Sequence, residues 1–341
     1  MRAAFETRLV DIWYRQARPP WYLRALIPAY RALHGVHRRR ELRLRDDDLE
    51  SKCIVVVGNL TVGGSGKTPL VIRLCELLQS AGLTPGVVSR GYGREDDKQR
   101  LVISSSNPVL VGDEPLLIAR RTGAAVMVGP GRGEAARELF QRGVDVVISD
   151  DGLQHHRLPR AVEICVIDGE RGFGNGYLLP AGPLREDPAR LATVRHVVIN
   201  GGEPGRLPGA AALAGINCAR MELQPRKVHS LSGRLNWRLA QFAGCRVSAV
   251  AGIANPGRFF ALLRHANIDP VEKPFPDHHV FTGADFSGLP RDLPIIMTEK
   301  DAVKCKELSL ENAWYLSVDA HLPSEWEQKL LGEVLEFIDE H

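Results

Sequence analysis

The stretch "CIVVVGNLTVGGSGKTPL", residues 53–70, gives the strongest indication of the fold class. It begins with an apolar run typical of a buried strand, continues through a glycine-rich turn, and reaches Lys67-Thr68 at the start of a predicted helix. This order is typical of a phosphate-binding loop, in which backbone N–H groups at a helix N-terminus surround phosphates. The Walker A spacing expects glycine at position 61, where this chain has Thr61.

The loop keeps enough glycine to remain a nucleotide site despite that departure, and Pro69 is tolerated in the first helical turn. In such a loop a lysine contacts the outer phosphates, and the following threonine binds Mg²⁺. We therefore predict that ATP or a related nucleotide contacts the whole loop, which comprises Thr61, Val62, Gly63, Gly64, Ser65, Gly66, Lys67 and Thr68.

A second metal anchor follows the predicted strand at 145–149, where Asp150 and Asp151 come directly after an apolar run. A carboxylate at the end of a neighbouring strand is where a Walker B aspartate holds Mg²⁺. Two adjacent aspartates can also mark an ordinary turn. With the phosphate-binding loop upstream, we predict a metal site at Thr68, Asp150 and Asp151.

Three further motifs contain groups that could take part in catalysis: "GDEP" (112–115), "DDGLQHH" (150–156) and "FPDHH" (275–279). Asp113 stands at a predicted helix start, so it is either an N-cap or a base for a substrate hydroxyl. The two histidine pairs lack a recognised zinc spacing. A histidine beside an aspartate can instead orient it.

From residue 53 onward, short β-branched runs alternate with helical patterns, which predicts a mostly parallel sheet with helices on both faces. The long Gly/Pro-rich loop at 172–188 is of a kind that is usually functional or disordered. The predicted strands are 53–57, 85–89, 100–104, 124–128, 145–149, 162–167, 195–199, 246–251, 270–274, 294–297 and 313–317. The predicted helices are 67–81, 113–122, 131–142, 256–266, 299–308 and 323–338.

The first 45 residues differ from the rest of the chain in charge. They contain eleven Arg, no Lys and three acids, which gives about +8 against +3 for the whole chain. Apolar residues at helical spacing include Leu23, Leu26, Ile27, Tyr30 and Leu33, predicted to share one side. This composition suits an interfacial helix on an anionic membrane surface. An amphipathic helix docked on its own domain or on a partner is the alternative.

The bulk composition excludes several classes. A net charge of +3 does not indicate a nucleic-acid polycation, and no run of 18 apolar residues predicts a membrane span. The six widely spaced cysteines form no C-x-x-C motif, which predicts buried free thiols in a reducing compartment.

Taken together, the motifs "VGNLTVGGSGKTP", "SRGYG", "GDEP", "DDGLQHH", "GNGYLLPAGPLRE" and "FPDHH" closely resemble the tetraacyldisaccharide 4'-kinase (lipid A 4'-kinase) family, over about residues 5–330. Thr61 also matches that family's form of the loop. The resemblance implies an α/β fold with two Rossmann-like, P-loop NTPase type, three-layer domains and an N-terminal amphipathic membrane-associating helix. It implies a membrane-interface segment at 1–45, a kinase domain at 46–220 and a smaller domain at 221–341 that closes over the cleft.

The resemblance further implies ATP and Mg²⁺ as cofactors and tetraacyldisaccharide 1-phosphate as the lipid substrate. It implies phosphorylation of the 4'-hydroxyl at the cytoplasmic face of the inner membrane, which residues 1–33 would contact. Lys67 and Asp113 are the implied catalytic residues, with His278 as the partner of Asp113 and His279 as the alternative. The implied substrate or cleft residues are Arg90, Gln154, His155, Arg185 and Glu186.

Two other functions remain open from the residues alone. One is a P-loop kinase for a soluble small molecule, with the N-terminal segment as a docking helix. The other is a nucleotide-dependent switch or metal-delivery protein, in which the histidine pairs would be ligands. A lipid acceptor in a phosphate-transfer assay separates the first implied function from both.

Overall fold

The computed structural model describes residues 2–15, 18–202 and 216–341. Its helices are α1 (Arg2–Tyr14), α2 (Trp21–Arg24), α3 (Ile27–Arg43), α4 (Lys67–Ser80), α5 (Pro108–Val111), α6 (Asp113–Thr122), α7 (Arg132–Gln141), α8 (Pro256–His265), α9 (Gly283–Phe286), α10 (Glu299–Cys305) and α11 (Ser324–Glu340).

The strands are β1 (Cys53–Gly58), β2 (Pro85–Ser89), β3 (Arg100–Val102), β4 (Ala125–Val128), β5 (Val146–Ser149), β6 (Val162–Asp168), β7 (His196–Asn200), β8 (Asn217–Ser230), β9 (Asn236–Trp237), β10 (Arg246–Ala251), β11 (Asp269–Pro274), β12 (Ile295–Thr298) and β13 (Ala313–His321).

All these strands belong to one sheet in the order β11-β10-β12-β13-β8-β7-β6-β1-β5-β2-β4-β3, with β9 paired to β8. The pairs β3–β4, β8–β9 and β8–β13 are antiparallel, and the other pairs are parallel. The predicted α/β class and the mostly parallel sheet are therefore confirmed. β1 lies between β6 and β5. The strands β2 to β5 all lie on one side of β1, and the chain then crosses to the other side with β6 and β7. Such a switch point is where open α/β sheets bind ligands.

β1 illustrates why helices cover both faces of the sheet. All six of its residues are buried, and successive side chains of a strand point to opposite faces. Val55 and Val57 pack in the core that contains residues of α4, α6 and α11. Ile54 and Val56 pack in a separate core with residues of α7. A strand buried on both sides reads as a continuous apolar run rather than an alternating one.

β8 connects the two parts of the sheet and was not predicted. Its first residues pair in parallel with β7, and residues from Glu222 onward pair antiparallel with β13. The pairing register shifts between Ser317 and Val318, opposite the stretch that contains Pro225. The predicted boundary after residue 220 falls inside this continuous strand. The division of the chain into separate domains stays a prediction.

Other differences from the predicted elements are small. β3 is shorter than predicted, and the short helices α5 and α9 and the strand β9 were not predicted. The prediction of buried free cysteines is correct for Cys53, Cys75, Cys165 and Cys305, whose thiols are free and buried. It is wrong for Cys218 and Cys245, which are free but exposed.

The N-terminal helices dock on the rest of the chain through a few aromatic side chains. The Trp13 side chain is buried, and its Nε1 donates to the Pro180 carbonyl at 3.0 Å. The Tyr14 hydroxyl donates to the Val62 carbonyl at 3.3 Å, within the phosphate-binding loop. The Tyr30 hydroxyl donates to the Arg185 carbonyl at 2.8 Å. Part of this segment therefore follows the docked-helix alternative.

The single apolar side predicted for residues 23–33 is wrong. Ile27 and Tyr30 pack against a buried cluster, whereas Leu26 and Leu33 are exposed. An α-helix advances about 100° per residue, so Leu33 lies far around α3 from Ile27. The exposed set, named the apolar patch below, consists of Trp21, Tyr22, Leu26, Leu33 and Val36. No helix among residues 2–15, 18–202 and 216–341 is long and apolar enough to cross a bilayer.

Substitution of Gly58 by alanine is expected to destabilise the fold. A Cβ built at Gly58 would lie 2.5 Å from the Cβ of Leu153 and 2.7 Å from its backbone nitrogen. Overpacking of this kind costs about 1–3 kcal/mol, so the melting temperature of Gly58→Ala should fall by several degrees in calorimetry. Gly288→Ala is the control, because nothing lies within 4 Å of a Cβ at that position. Equal melting temperatures for the two variants would contradict the packing described here.

Candidate active site

The phosphate-binding loop follows β1 and is held in place by a residue of β7. Gly66, which precedes α4, has φ +92°, a conformation that favours glycine. A Cβ at Gly66 would lie 2.1 Å from the Nδ2 atom of Asn200, at the end of β7. That amide donates to the Ser65 carbonyl at 3.0 Å. The loop therefore needs glycine at this position for both conformation and space, and its shape is held by a neighbouring strand.

Lys67 is the first residue of α4, and its ammonium group lies between two polar partners. Its Nζ is 3.2 Å from Oδ1 of Asn59 and 3.2 Å from Oδ1 of Asp151. The Asn59 amide also donates to the Gly63 carbonyl at 3.3 Å. The structure thus joins Lys67 to the aspartate pair predicted from sequence. Thr61 forms an isolated bridge with Leu184, and Thr68 is the second residue of α4.

Asp150 ends β5, directly beside β1, and is buried. Its Oδ2 accepts from the Ser89 hydroxyl at 3.2 Å, while its Oδ1 is buried and has no partner among the described residues. Burial raises the pKa of Asp150 to about 6, and the nearby charge of Glu114 adds to the effect. A buried, unpartnered carboxylate oxygen is what a hard divalent cation would satisfy. The Asp150 carboxylate therefore fits Mg²⁺, and the participation of Thr68 and Asp151 stays a prediction.

Asp151 adopts φ +49° and lies among cations. Both of its carboxylate oxygens accept from Nη1 of Arg185 at 3.1 Å. Burial alone would raise the pKa of Asp151, but Lys67, Arg185 and Arg132 together hold it below its usual range. Arg132, buried at the start of α7, donates to the carbonyls of Asp150 and Asp151 at 3.0 and 2.9 Å. The aspartate pair is thus fixed through both backbone and side chains.

The structure also brings Asp113 and His278 together, although they are 165 positions apart in sequence. Nδ1 of His278 lies 3.1 Å from each carboxylate oxygen of Asp113. Burial opposes ionisation of Asp113, but the hydrogen bond from His278 and the charge of Lys300 hold its pKa below the usual range. Burial lowers the pKa of His278, but the hydrogen bond to Asp113 and the charges of Asp113 and Asp277 together outweigh burial, so that pKa is raised overall.

The structure pairs His278, not His279, with Asp113. His279 lies 3.3 Å from Oδ2 of Asp285 and stacks on the Phe275 ring at a centroid distance of 4.6 Å. The His278 backbone has φ +58°, in the left-handed region that non-glycine residues rarely adopt. Asp113 is the first residue of α6 after Gly112, and its carboxylate accepts from the Glu114 backbone N–H at 2.9 Å. The N-cap of α6 is Gly112 and no side chain caps the helix, so the N-cap alternative for Asp113 is wrong.

The residues predicted to contact substrate have different surroundings. Gln154 Nε2 donates to the Asn59 carbonyl at 3.0 Å and to Oε1 of Glu186 at 2.9 Å, which ties it to the phosphate-binding loop. Arg90 is exposed just after β2 and forms no ion pair within the described parts of the chain. His155 lies 3.2 Å from Oε2 of Glu41 on α3, and burial lowers its pKa to about 3.

The Gly/Pro-rich loop at 172–188 packs on the phosphate-binding loop. The Val62 N–H donates to the Pro183 carbonyl at 2.8 Å, and the Arg185 N–H donates to the Leu60 carbonyl at 2.7 Å. The Asn175 N–H donates to the Trp13 carbonyl at 2.7 Å. This loop therefore connects the N-terminal helices with the nucleotide site.

Several site residues were missed by sequence reasoning. Three of them lie shortly after predicted strands, at the carboxyl edge of the sheet: Asn59, Arg132 and Asn200. That position could have indicated a role in ligand binding. Lys300 also follows a predicted strand, at 294–297, although "TEKDAVK" reads as an ordinary helix start. Within residues 2–15, 18–202 and 216–341, no group of three or more His, Cys, Asp and Glu side chains is arranged to hold a metal ion. The described histidine pairs thus form no metal centre of that kind.

The chain is similar to known proteins over most of its length. The sequence profile of the family "LpxK: Tetraacyldisaccharide-1-P 4'-kinase" matches residues 20–335. Tetraacyldisaccharide 4'-kinase of Xanthomonas euvesicatoria pv. vesicatoria is 47% identical over 334 residues, which cover 96% of each chain. The enzyme of that name from Shewanella piezotolerans is 48% identical over 290 residues, 84% of each chain.

A crystal structure of LpxK from Aquifex aeolicus in complex with ATP has the same fold. It superposes with a TM-score of 0.70 at 24% identity and covers 92% of this chain and 98% of its own. The family profile spans most of the chain, and relatives close to half identical match almost end to end. The chain therefore belongs to the tetraacyldisaccharide-1-P 4'-kinase family.

Proposed function

We propose that this protein transfers the γ-phosphate of ATP to the 4'-hydroxyl of tetraacyldisaccharide 1-phosphate, which gives lipid IVA in lipid A biosynthesis. The names of its relatives support the reaction, and the ATP in the Aquifex aeolicus structure supports the donor. The observation that carries the proposal is the pairing of Asp113 with His278 in a fold that also seats a phosphate-binding loop. The end of β2 and the segment after it contact both parts of the site, because the Ser89 hydroxyl donates to Asp150 at 3.2 Å and the Tyr92 ring lies 5.0 Å from the His278 ring.

Phosphoryl transfer depends mainly on positioning and on stabilising negative charge. Backbone N–H groups of residues 63–68 would bind the phosphates, and Lys67 would contact the outer ones in place of Asp151. The side chains of Thr68, Asp150 and Asp151 would hold Mg²⁺, which neutralises charge on the transferring phosphate when bound.

Asp113 is the group proposed to accept the proton of the sugar hydroxyl. A sugar hydroxyl is a weak acid, so a carboxylate is most useful late in the transition state, when the oxygen has bonded to phosphorus. Its burial and its hydrogen bond from His278 hold the carboxylate in one orientation. Closure of the C-terminal part over the cleft would exclude water and limit ATP hydrolysis.

Arg90, Gln154, Arg185 and Glu186 are proposed to line the substrate and nucleotide cleft. Arg90 is exposed and unpaired among the described residues, which suits contact with a substrate anion. Arg185 and Gln154 act through Asp151 and the Asn59 carbonyl. His155 is better suited to hold α3 through Glu41 than to contact a sugar.

The apolar patch supports a peripheral site of action at the cytoplasmic face of the inner membrane. Trp21 is 74% exposed and Leu33 is 72% exposed, a degree of exposure unusual for large apolar side chains in a monomer. Exposed arginines on α2 and α3, including Arg24 and Arg31, would face anionic headgroups. The acyl chains of the substrate could then stay in the bilayer during catalysis.

Removal of the Lys67 ammonium is expected to abolish most of the transfer. In detergent micelles with radiolabelled ATP and tetraacyldisaccharide 1-phosphate, Lys67→Ala should lower kcat by about 10²-fold or more. Lys329→Ala, an exposed position on α11, should retain wild-type activity. Wild type that binds ATP but labels no lipid would contradict the acceptor assignment and favour a soluble acceptor or a switch.

Substitution of Asp113 is expected to affect the chemical step rather than nucleotide binding. Asp113→Asn keeps the size of the side chain but removes its basicity, so kcat should fall by about 10²-fold or more. The Kd for ATP should stay close to that of wild type, because Asp113 lies outside the phosphate-binding loop. An unchanged kcat would remove Asp113 from the role of base.

The apolar patch is expected to drive membrane binding. The triple variant Trp21→Ser, Leu33→Ser and Val36→Ser should bind anionic liposomes at least about tenfold more weakly in co-sedimentation, since each apolar side chain contributes about 1.5–3 kcal/mol when fully buried. The matched control is Ile103→Ser with Leu235→Ser, which are exposed outside the patch. Equal liposome binding by both variants would refute the patch as the membrane contact.

A further inference from the structure

Lys300 is a partly buried cation beside the Asp113–His278 pair, and the proposed mechanism does not yet use it. It is the second residue of α10, and its side chain is 14% exposed. The N-terminus of a helix carries partial positive charge, so an ammonium group is unfavourable there unless carboxylates compensate it. The Nζ of Lys300 lies 2.9 Å from Oε1 of Glu114 and 3.0 Å from Oδ1 of Asp277.

The same ammonium group reaches the second ring nitrogen of His278. The Nζ of Lys300 is 3.4 Å from Nε2 of His278 and 3.9 Å from Oδ2 of Asp113. Lys300 therefore touches the histidine on the side opposite its bond to the carboxylate. It also joins α6, α10 and the loop that carries His278, which lie in different parts of the chain.

The donors and acceptors fix which form of His278 suits this arrangement. An ionised carboxylate can only accept, so the Nδ1 atom that faces Asp113 carries a hydrogen. An ammonium group can only donate, so the Nε2 atom that faces Lys300 is best as an acceptor. The neutral ring with its hydrogen on Nδ1 satisfies both contacts. The doubly protonated ring would place N–H against NH₃⁺.

The charges around His278 have opposing effects on its proton. Asp113 and Asp277 favour the charged ring, and Lys300 opposes it. Glu114 bonds to Lys300, Lys304 lies 3.8 Å from Asp113, and the Tyr92 ring lies 5.0 Å from the His278 ring. Among these groups, only Lys300 places a positive charge in contact with the ring itself.

We propose that Lys300 is a positioning residue, which favours the neutral form of His278 with its hydrogen on Nδ1 and so keeps the Asp113 carboxylate oriented and free to accept the substrate proton. An imidazolium at this position would bind the carboxylate more tightly and make it a poorer acceptor. The role in catalysis depends on the proposed function. The effect on the histidine ring does not.

The test is a ¹⁵N NMR titration of the histidine rings in the full-length protein, with His278→Gln to assign the resonance. Above its titration, wild-type His278 should show the shifts of a ring protonated on Nδ1. In Lys300→Met, which keeps the side-chain length but removes the charge, the pKa of His278 should move upward. The cation is lost, and Glu114 and Asp277 are left uncompensated, so both changes favour the protonated ring.

Lys304→Met is the matched control, because Lys304 is also partly buried and near Asp113 but does not contact His278. It should move the pKa of His278 less than Lys300→Met does. Lys300→Arg keeps the charge and should leave the pKa of His278 near the wild-type value. Lys300→Gln removes the charge but keeps a polar side chain, so it should raise that pKa and serves as the second charge-removing variant if Lys300→Met does not fold. A wild-type ring protonated on Nε2, or equal pKa values in Lys300→Met, Lys304→Met and wild type, would overturn the proposal.

The catalytic consequence is measured separately. The kcat of Lys300→Met at neutral pH should fall about tenfold or more, part of the 10²–10⁴ contribution of a positioned base. The acid limb of its pH–rate profile should move to higher pH, and the KM for ATP should change little. A merely structural lysine would lower activity at every pH without that displacement. If wild type phosphorylates no lipid, the proposed function fails while the ring titration still decides the role of Lys300.

Discussion

The contact between Asp113 and His278 brings together two parts of the chain that are far apart in sequence. Asp113 begins α6 and His278 follows β11, so the position of one residue does not determine the position of the other. Other bonds tie these parts together. Arg121 of α6 pairs with Glu299 at 2.7 Å and also with Asp319. The long strand β8 carries the sheet from one part to the other, so the two parts share one frame.

The nucleotide side follows from β1. A fully buried strand at the switch point places its loop at the carboxyl edge, where β5 and β7 supply Asp150 and Asn200. The aspartate pair combines one carboxyl with a raised pKa and an unpartnered oxygen with another held ionised by cations. Such opposite shifts in adjacent groups are typical of functional sites. The N-terminal helices reach the same loop through the Tyr14 hydroxyl, which connects the proposed membrane contact to the site of chemistry.

Sequence alone predicted the elements with strong periodicity and the residues in motifs. β1, α4 and α6 lie where predicted, and Lys67, Asp151 and Arg185 are in contact. β8 was missed although Ala219, Met221 and Leu223 alternate with polar residues, which is a strand pattern. The charged residues that follow and Pro225 obscure the strand, because proline is rare inside a sheet. Lys300 was also missed, since its importance comes from three elements that meet only in the fold. The composition of the N-terminal segment predicted an apolar surface. Which of its apolar residues are exposed and which pack on the rest of the chain could be seen only from the helix geometry.

The position of the new phosphate on the lipid product tests the proposed reaction most directly. The purified product of wild-type protein with ATP, Mg²⁺ and tetraacyldisaccharide 1-phosphate would be analysed by ³¹P–¹H correlation NMR. If the protein phosphorylates the 4'-hydroxyl, the product has a second phosphomonoester whose phosphorus correlates with the proton on carbon 4' of the disaccharide. A lipid with no second phosphate, or a phosphorus that correlates with another position, would contradict the proposed reaction.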